Sequence, residues 1–372
     1  MNNPEKQTER WRFERLRRWY VRYERYLIPG SLLLGVITDA LLFQNINLNL
    51  AFSILTWHLF LSGLAIAFIQ SYDAGKINYS HKSFKYIRLF APLVLQYTFG
   101  ALLSGFLIFY WFSSSFTASW PFIILIVVLM VSNDLLKKYY LWLNIQIGVY
   151  FFIIFSYANL VLPFLLRNIA VWVFLLAGLV SLIIIATYLY LLAKVVPRIY
   201  SGRRILFGII AGVFVSLNIL YFTNIIPPVP LSLREAGIYY SVQRTESGEY
   251  RIVTTDKPWW VRFSPRATIE VLPNQRIYFY TAIFTPTRLD TNIVHHWQYY
   301  DEGSGRWVSR SRISYGIVGG RDGGYRGFSV ITNPPAGRFR VDVETTRGQV
   351  IGRKNFRVKI VDEQPDLEII YR

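Results

Sequence analysis

Residues 203–230 read RRILFGIIAGVFVSLNILYFTNIIPPVP, and this one stretch divides the chain. From Ile205 to Ile225 it carries no charged side chain, and a helix of that length reaches across the hydrocarbon of a bilayer. Arg203 and Arg204 mark one end, and Pro227, Pro228 and Pro230 form a short, stiff connection at the other. Upstream the chain is a succession of similar apolar runs. Downstream those runs vanish, and apolar residues alternate with charged ones.

Upstream, runs of crossing length fall near Leu27–Phe43, Leu48–Ile69, Leu89–Phe112, Ala118–Asp134, Leu141–Leu162, Ile169–Leu192 and Ile205–Ile225. The expected organisation is a basic cytoplasmic segment (1–26), a seven-helix membrane domain (27–226), a Pro-rich connection (227–236) and a β domain (237–372). The first and fourth runs are short, so six spans is the rival count. Pro163 is expected to end or kink the fifth, because its ring removes a helix hydrogen bond.

Basic residues set the orientation. The segment before the first run holds Lys6, Arg10, Arg12, Arg15, Arg17, Arg18, Arg22 and Arg25. The even-numbered connections hold Lys76, Lys82, Lys85 and Arg88, then Lys137 and Lys138, then Lys194, Arg198, Arg203 and Arg204. The odd-numbered connections hold only Arg167. The positive-inside rule therefore puts the N-terminus in the cytoplasm, and an odd count of spans puts the C-terminal domain outside it. The long charged start, with no small-residue cleavage site, reads as retained rather than as a cleaved signal peptide. Phe13, Leu16, Tyr20, Tyr23 and Leu27 recur at helical spacing, as in an amphipathic helix lying on the inner leaflet.

Composition agrees. The 372 residues are 53% hydrophobic and 17% aromatic, with a formal net charge of +18. Residues 1–226 carry 19 Lys and Arg against 7 Asp and Glu; residues 227–372 carry 21 against 15. A pI near 9.9 raises nucleic acid as a partner. The excess is juxtamembrane, however, and no nucleic-acid motif is present, so membrane lipids are the expected counter-charge. With no cysteine there is no disulfide, thiolate nucleophile or Cys-ligated metal.

Downstream, Arg338–Glu344 and Asn355–Ile360 alternate apolar and charged residues, the pattern of strands with one buried and one wet face. Further strands are expected at Gly237–Gln243, Tyr250–Thr255, Thr268–Leu272, Arg276–Phe284, Asn292–Tyr300, Arg306–Ser314 and Tyr325–Thr332. Turns at Pro273-Asn274, Asp301-Glu302-Gly303, Asn333-Pro334-Pro335 and Arg347-Gly348 separate several of them. The fold expected is an all-β antiparallel sandwich, Ig-like, behind a polytopic α-helical membrane domain. An open barrel is the alternative.

Gly319-Gly320-Arg321-Asp322-Gly323-Gly324-Tyr325-Arg326-Gly327-Phe328-Ser329, the run Pro335–Thr345 and the run Gly348–Arg353 resemble a bacterial family known only as domain of unknown function 2914. His295-His296-Trp297 resembles its entry. The membrane half is similar to a multi-span region that precedes this domain in some members, at Gly35 with Asp39, Gln96–Gly100, Ser119-Trp120-Pro121, Asn133-Asp134, and Gln146 with Tyr150. Asp134 departs from the Glu often found there. The resemblance implies a bacterial envelope protein and brings no catalytic residue.

Candidate functional residues fall into two groups. In the spans, Asp39, His58 and Asp134, supplemented by Gln96, Asn144 and Gln146, would make a ladder for proton or ion transfer. The plainer role, favoured here, is hydrogen bonding between helices. In the β domain, Trp259, Trp260, His296, Trp307, Arg321 and Arg326 are the candidates for ligand binding. Trp259-Trp260 also suits the outer leaflet interface, and the Gly-rich run around Arg321 and Arg326 suits either an anion nest or a tight hairpin. His295 and His296, adjacent in a strand, point to opposite faces and do not share a metal. No metal or cofactor is expected, and no hydrolase or metalloprotease motif occurs.

The function expected is that of an inner-membrane envelope protein, not an enzyme, presenting its β domain to an envelope glycan, lipid headgroup or protein partner. The alternatives are a transporter or channel gated by that domain, and a membrane-embedded enzyme using Asp39 or Asp134. Ligand identity and oligomeric state are not legible in one sequence.

Overall fold

The structure is a computed structural model. It describes residues 48–76, 82–113, 116–135, 142–228, 231–255, 267–284, 291–317, 325–363 and 365–372, with single helical positions between 14 and 34. The expected first span and most of the amphipathic segment lie outside the described residues. Two compact units divide the chain.

The first unit is helical: α1 (Leu48–Asp73), α2 (Lys82–Phe112), α3 (Phe116–Leu135), α4 (Leu143–Leu166), α5 (Val171–Val195), α6 (Arg198–Ser201) and α7 (Arg203–Phe222). Five of them (α1, α2, α4, α5 and α7) are long and apolar enough to cross a membrane, while the apolar part of α3, Ala118–Ser132, is shorter. On α5, Val173, Ala177 and Ser181 are buried while Leu175, Leu179 and Ile183 are exposed. Leu and Ile turned outward along a helix suit hydrocarbon as the surroundings, with every helical amide bonded internally.

Tyrosines tie α1 to its neighbours. The Tyr150 hydroxyl of α4 donates to Leu59 O at 3.3 Å and the Tyr188 hydroxyl of α5 donates to Gly63 O at 2.8 Å. Gly63 makes this approach possible, since a Cβ there would fall 2.5 Å from the Tyr150 hydroxyl oxygen. Pro163, expected to end or kink this helix, lies inside α4 rather than at its end. The helix runs on to Leu166 and stops where Arg167 turns left-handed (φ 53). The Asn168 amide then caps the Pro163 carbonyl at 3.2 Å, the closure of a Schellman turn. Pro163 removes one amide from the helix ladder, and the stop is left to the left-handed Arg167.

The second unit joins residues 223–372 with the helix connections 110–120 and 163–170. Among the described residues its strands are β1 (Ser232–Tyr239), β2 (Ser241–Arg244), β3 (Tyr250–Thr255), β4 (Ala267–Val271), β5 (Arg276–Phe284), β6 (Thr291–Asp301), β7 (Arg306–Ile317), β8 (Tyr325–Thr332), β9 (Gly337–Thr345), β10 (Val350–Ile360) and β11 (Leu367–Tyr371). They form sheets of order β1-β5-β8, β4-β10-β9-β6-β7 and β11-β3-β2. The all-antiparallel expectation is corrected at one place: β10 pairs with β4 in parallel, so the five-stranded sheet is mixed. β1 starts at Ser232, inside the stretch 227–236 read as a connection.

The first two sheets share one core. Ile277, Phe279 and Ile283 of β5 meet Ile293 and Trp297 of β6, Phe339, Val341 and Val343 of β9, and Phe356 and Val358 of β10. These are alternate residues of each strand, the signature of one inward face. Ile169, in the connection between α4 and α5, packs against the same core.

Candidate functional site

Strand β6 carries two polar systems back to back, because successive side chains point to opposite faces. His295 and Trp297 point into the core, and His296, Gln298 and Tyr300 point out.

The inward system is a chain of hydrogen bonds in apolar surroundings. The indole Nε1 of Trp297 donates to Ser329 Oγ at 2.9 Å, since an indole can only donate. Ser329 Oγ also lies 2.8 Å from His295 Nδ1, and His295 Nε2 lies 3.0 Å from Thr281 Oγ1. Thr281 Oγ1 in turn meets the Tyr315 hydroxyl at 2.7 Å. One consistent order has each group donating to the next, from Trp297 through Ser329, His295 and Thr281 to Tyr315, with the imidazole neutral. Burial drives the His295 pKa down to about 3 and raises that of the Tyr315 hydroxyl. Gly327 belongs to this node, because a Cβ there would lie 2.3 Å from the Tyr315 ring. The node is structural: buried except for part of Tyr315, it gives uncharged polar groups their partners.

The outward system spans β10, β9, β6 and β7. Asp342, almost fully buried, takes two hydrogen bonds from the Arg353 guanidinium, that from Nη2 at 2.7 Å. Gln298 Nε2 adds a longer contact at 3.3 Å, while its Oε1 accepts from Arg340 Nε at 2.7 Å. Glu344, also buried, lies 3.0 Å from His296 Nδ1 and accepts from Arg312 Nη2 at 2.8 Å. His296 Nε2 reaches Ser309 Oγ at 2.9 Å. The hydrogen bonding to Asp342 holds the Arg353 pKa up, whereas burial and then the charge of Arg353 push that of Arg340 down. Beside these, the Arg340 guanidinium sits 4.5 Å over the Trp307 ring and that of Arg338 sits 3.7 Å over the Tyr300 ring. The two rings meet edge to face at 5.2 Å.

A bulge builds this face. Trp297 pairs with Ser311 but Gln298 pairs with Ser309, leaving Arg310 as an extra residue in β7. That one residue rephases the strand, so Trp307 and Ser309 share the outer face with Arg312. Glu344, His296 and Ser309 stand in the order carboxylate, imidazole, hydroxyl. Acyl transfer would also need donors aimed at a developing oxyanion, and the guanidinium that reaches this line, Arg312, is bound to Glu344.

Of the candidates read from sequence, His296 and Trp307 come together on this face. Arg326 does not: it lies on β8 in the other sheet, where its carbonyl accepts from the Tyr250 hydroxyl at 3.0 Å. Trp259, Trp260 and Arg321 lie outside the described residues. In the helical unit, His58 Nδ1 binds the carbonyl of Ile54 in its own helix at 2.8 Å, and Gln146 Oε1 accepts from Gln70 of α1 at 2.8 Å. Gln96 is buried within α2 and Asn144 lies half-buried in the first turn of α4. Asp39 and the side chain of Asp134 lie outside the described residues. Among the described residues, no group of three or more His, Asp or Glu could hold a metal ion. Ser329, Thr281, Tyr315, Gln298, Arg340 and Asp342 were not among the candidate functional residues. Asp342 had a signal, an acidic residue alternating with Val341 and Val343, and Ser329 lay in the run that carries the family resemblance; Thr281 had none.

These features define a protein with apolar, membrane-competent helices and a β-rich domain whose central sheet is polar on one face. The family model described as "Protein of unknown function (DUF2914)" matches residues 290–358, which run from β6 through most of β10. The DUF2914 resemblance therefore holds in the C-terminal region. No curated protein matches the chain. Among solved structures it is similar to the Pseudomonas fluorescens alkylpurine DNA glycosylase AlkC bound to DNA containing an abasic site analog, at 10% identity and a TM-score of 0.21, covering 76% of this chain and 83% of that one. A superposition at that score carries no information about shared fold or activity.

Proposed function

We propose that this is a bacterial inner-membrane protein with seven spans and a cytoplasmic N-terminus. Its β domain, an Ig-like sandwich with a third small sheet, stands on the extracytoplasmic side and binds an envelope component through the outer face of β10-β9-β6-β7. One observation carries the orientation. The connections 110–120 and 163–170 belong to the same compact unit as residues 223–372, and of the basic residues in the odd-numbered connections they hold the only one, Arg167. The charge bias supports an external side for the ends of the odd-numbered connections, as the positive-inside rule requires of an external domain.

The binding role rests on the outward face, where two nearly buried carboxylates and a series of guanidiniums are locked in one arrangement. Preorganised polar groups beside aromatic rings suit recognition, because little side-chain freedom is left to lose on binding. Inside the bundle, the bonds from His58 to its own helix and between Gln146 and Gln70 support a packing role over a transport path.

The absence of cysteine makes a direct test available. Ser304, in the exposed β6–β7 turn, is replaced by cysteine and intact cells are treated with a membrane-impermeant maleimide. Labelling in intact cells is expected. Labelling that appears only after lysis would place the domain in the cytosol and overturn the reading.

A further inference from the structure

We propose that Arg338 and Arg340 of β9, backed by Tyr300 and Trp307, form a binding site for a phosphate-type oxyanion. This deepens the reading of the outer sheet face as a binding surface, and names the class of group bound there.

Two residues apart on one strand, the two side chains share a face and their Cα atoms are about 7 Å apart. Each guanidinium lies over an aromatic ring, Arg338 over Tyr300 and Arg340 over Trp307. Stacking covers one flat side of each and leaves N–H edges directed away from the ring. The rings touch each other, so the two cations are held in a fixed relation.

The carboxylates on this face are mostly committed elsewhere. Asp342 is bound by Arg353, and Glu344 by Arg312 and His296. Arg340 uses Nε on the neutral Gln298, and among the described residues the carboxylate nearest Arg338 is the exposed Glu302, with 3.8 Å from Nε to Oε1. Asp301, at the end of β6, turns its carboxylate to the amides of Gly303 and Ser304. The depressed pKa of Arg340 has burial and a neighbouring cation as its leading causes, and a bound anion would relieve the second. A planar carboxylate is satisfied by one guanidinium fork. A tetrahedral phosphate monoester or diester presents oxygens in several directions and can accept from two forks at once. A lipid headgroup, a phosphorylated polymer and free phosphate all carry that group.

The test is calorimetric titration of the full-length protein in uncharged detergent with inorganic phosphate and, separately, glycerophosphoglycerol, the diester headgroup of an anionic lipid. Saturable binding on the order of 1 mM is expected for at least one, weakened about tenfold or more in Arg338→Gln and Arg340→Gln. Arg244→Gln, which removes an exposed cation from β2 in the separate three-stranded sheet, is the control and should bind as wild type does. Tighter binding of the diester assigns the site to a headgroup; tighter binding of inorganic phosphate assigns it to a soluble or terminal phosphate. The proposal is overturned if neither ligand binds, or if both glutamine variants bind like wild type while retaining the wild-type near-UV circular dichroism. Labelling of Ser304→Cys in intact cells is independent of this outcome, so a failure here leaves the orientation standing.

Discussion

Acid should loosen the β domain through one side chain, His295. Its imidazole is fully enclosed and its pKa falls from an ordinary 6.5 to about 3, through burial. The unfolded chain therefore takes up a proton below pH 6.5 that the folded domain refuses until about pH 3. Because the unfolded state binds more protons across that window, stability is fully present above pH 6.5 and falls as pH drops. The slope is about 1.4 kcal/mol per pH unit, so the loss is about 2 kcal/mol at pH 5 and approaches about 5 kcal/mol near pH 3. Hydrogen exchange of peptides from β5, β6 and β8 in the full-length protein reads this opening free energy locally, free of the helical unit. Each pH should be measured in parallel on His295→Gln, which does not titrate, so that intrinsic exchange rates and carboxylate titrations cancel in the difference. The variant sits lower at neutral pH, having lost a fitted ring, but its stability should depend less on pH between 6.5 and 5 by about 2 kcal/mol. Parallel pH profiles for the two proteins would refute the argument and mean that the enclosed ring takes up its proton without opening the core.

Two further outcomes test the packing. Asp342→Ala strips the partner from the partly exposed Arg353 and should cost about 1–3 kcal/mol, read by the same exchange measurement. Removing both ends in Asp342→Ala/Arg353→Ala should cost less than the sum of the singles, and additivity would show that the pair is not coupled. In the helical unit, Gly63→Ala forces a methyl toward the Tyr150 hydroxyl and should destabilise by about 1–3 kcal/mol in a detergent thermal melt. Tyr150→Phe in the same chain removes the clashing oxygen and should recover part of the loss; no recovery would place the strain elsewhere.

Much of the architecture was legible because hydrophobic length and period are local signals. Expected and observed bounds coincide for β3, β5 and β8 and differ by one to three residues for β4, β6 and β7. Turn chemistry was equally local: Asn274 and Asn333, both within expected turns, adopt positive φ. Signals that depend on a distant partner were not legible. The parallel pairing of β10 with β4 joins residues far apart in sequence, and nothing in Ala267–Val271 announces its neighbour. β11 was missed because Leu367–Tyr371 exposes most of its side chains and so lacks a strict alternation. The bulge at Arg310 hides best of all. Reading β7 with an unbroken period of two puts Trp307 on the same face as Tyr315, in the core, yet the extra residue turns it out beside Arg340.

The residues that carry the DUF2914 resemblance divide between two faces. His295, Trp297, Gly327, Ser329, Phe339, Val341 and Val343 are all buried, and four of these seven build or border the inner hydrogen-bonded node. Their neighbours in the same runs, His296, Arg338, Arg340, Asp342 and Glu344, make the outer lattice. The period of two therefore interleaves two separable demands, one residue at a time, in one short sequence. Substitution of inward residues alters whether the sheets close, since a node with one missing partner leaves a buried polar group unpaired. Substitution of the more exposed outward residues, such as Arg338, leaves closure intact and alters the proposed binding face, whereas the buried Asp342 and Glu344 also contribute to stability. A protein that kept the inward set and replaced Arg338 and Arg340 would share this fold and lack the proposed oxyanion site, so likeness across the domain transfers the architecture, while the cations of β9 decide whether the proposed site transfers with it.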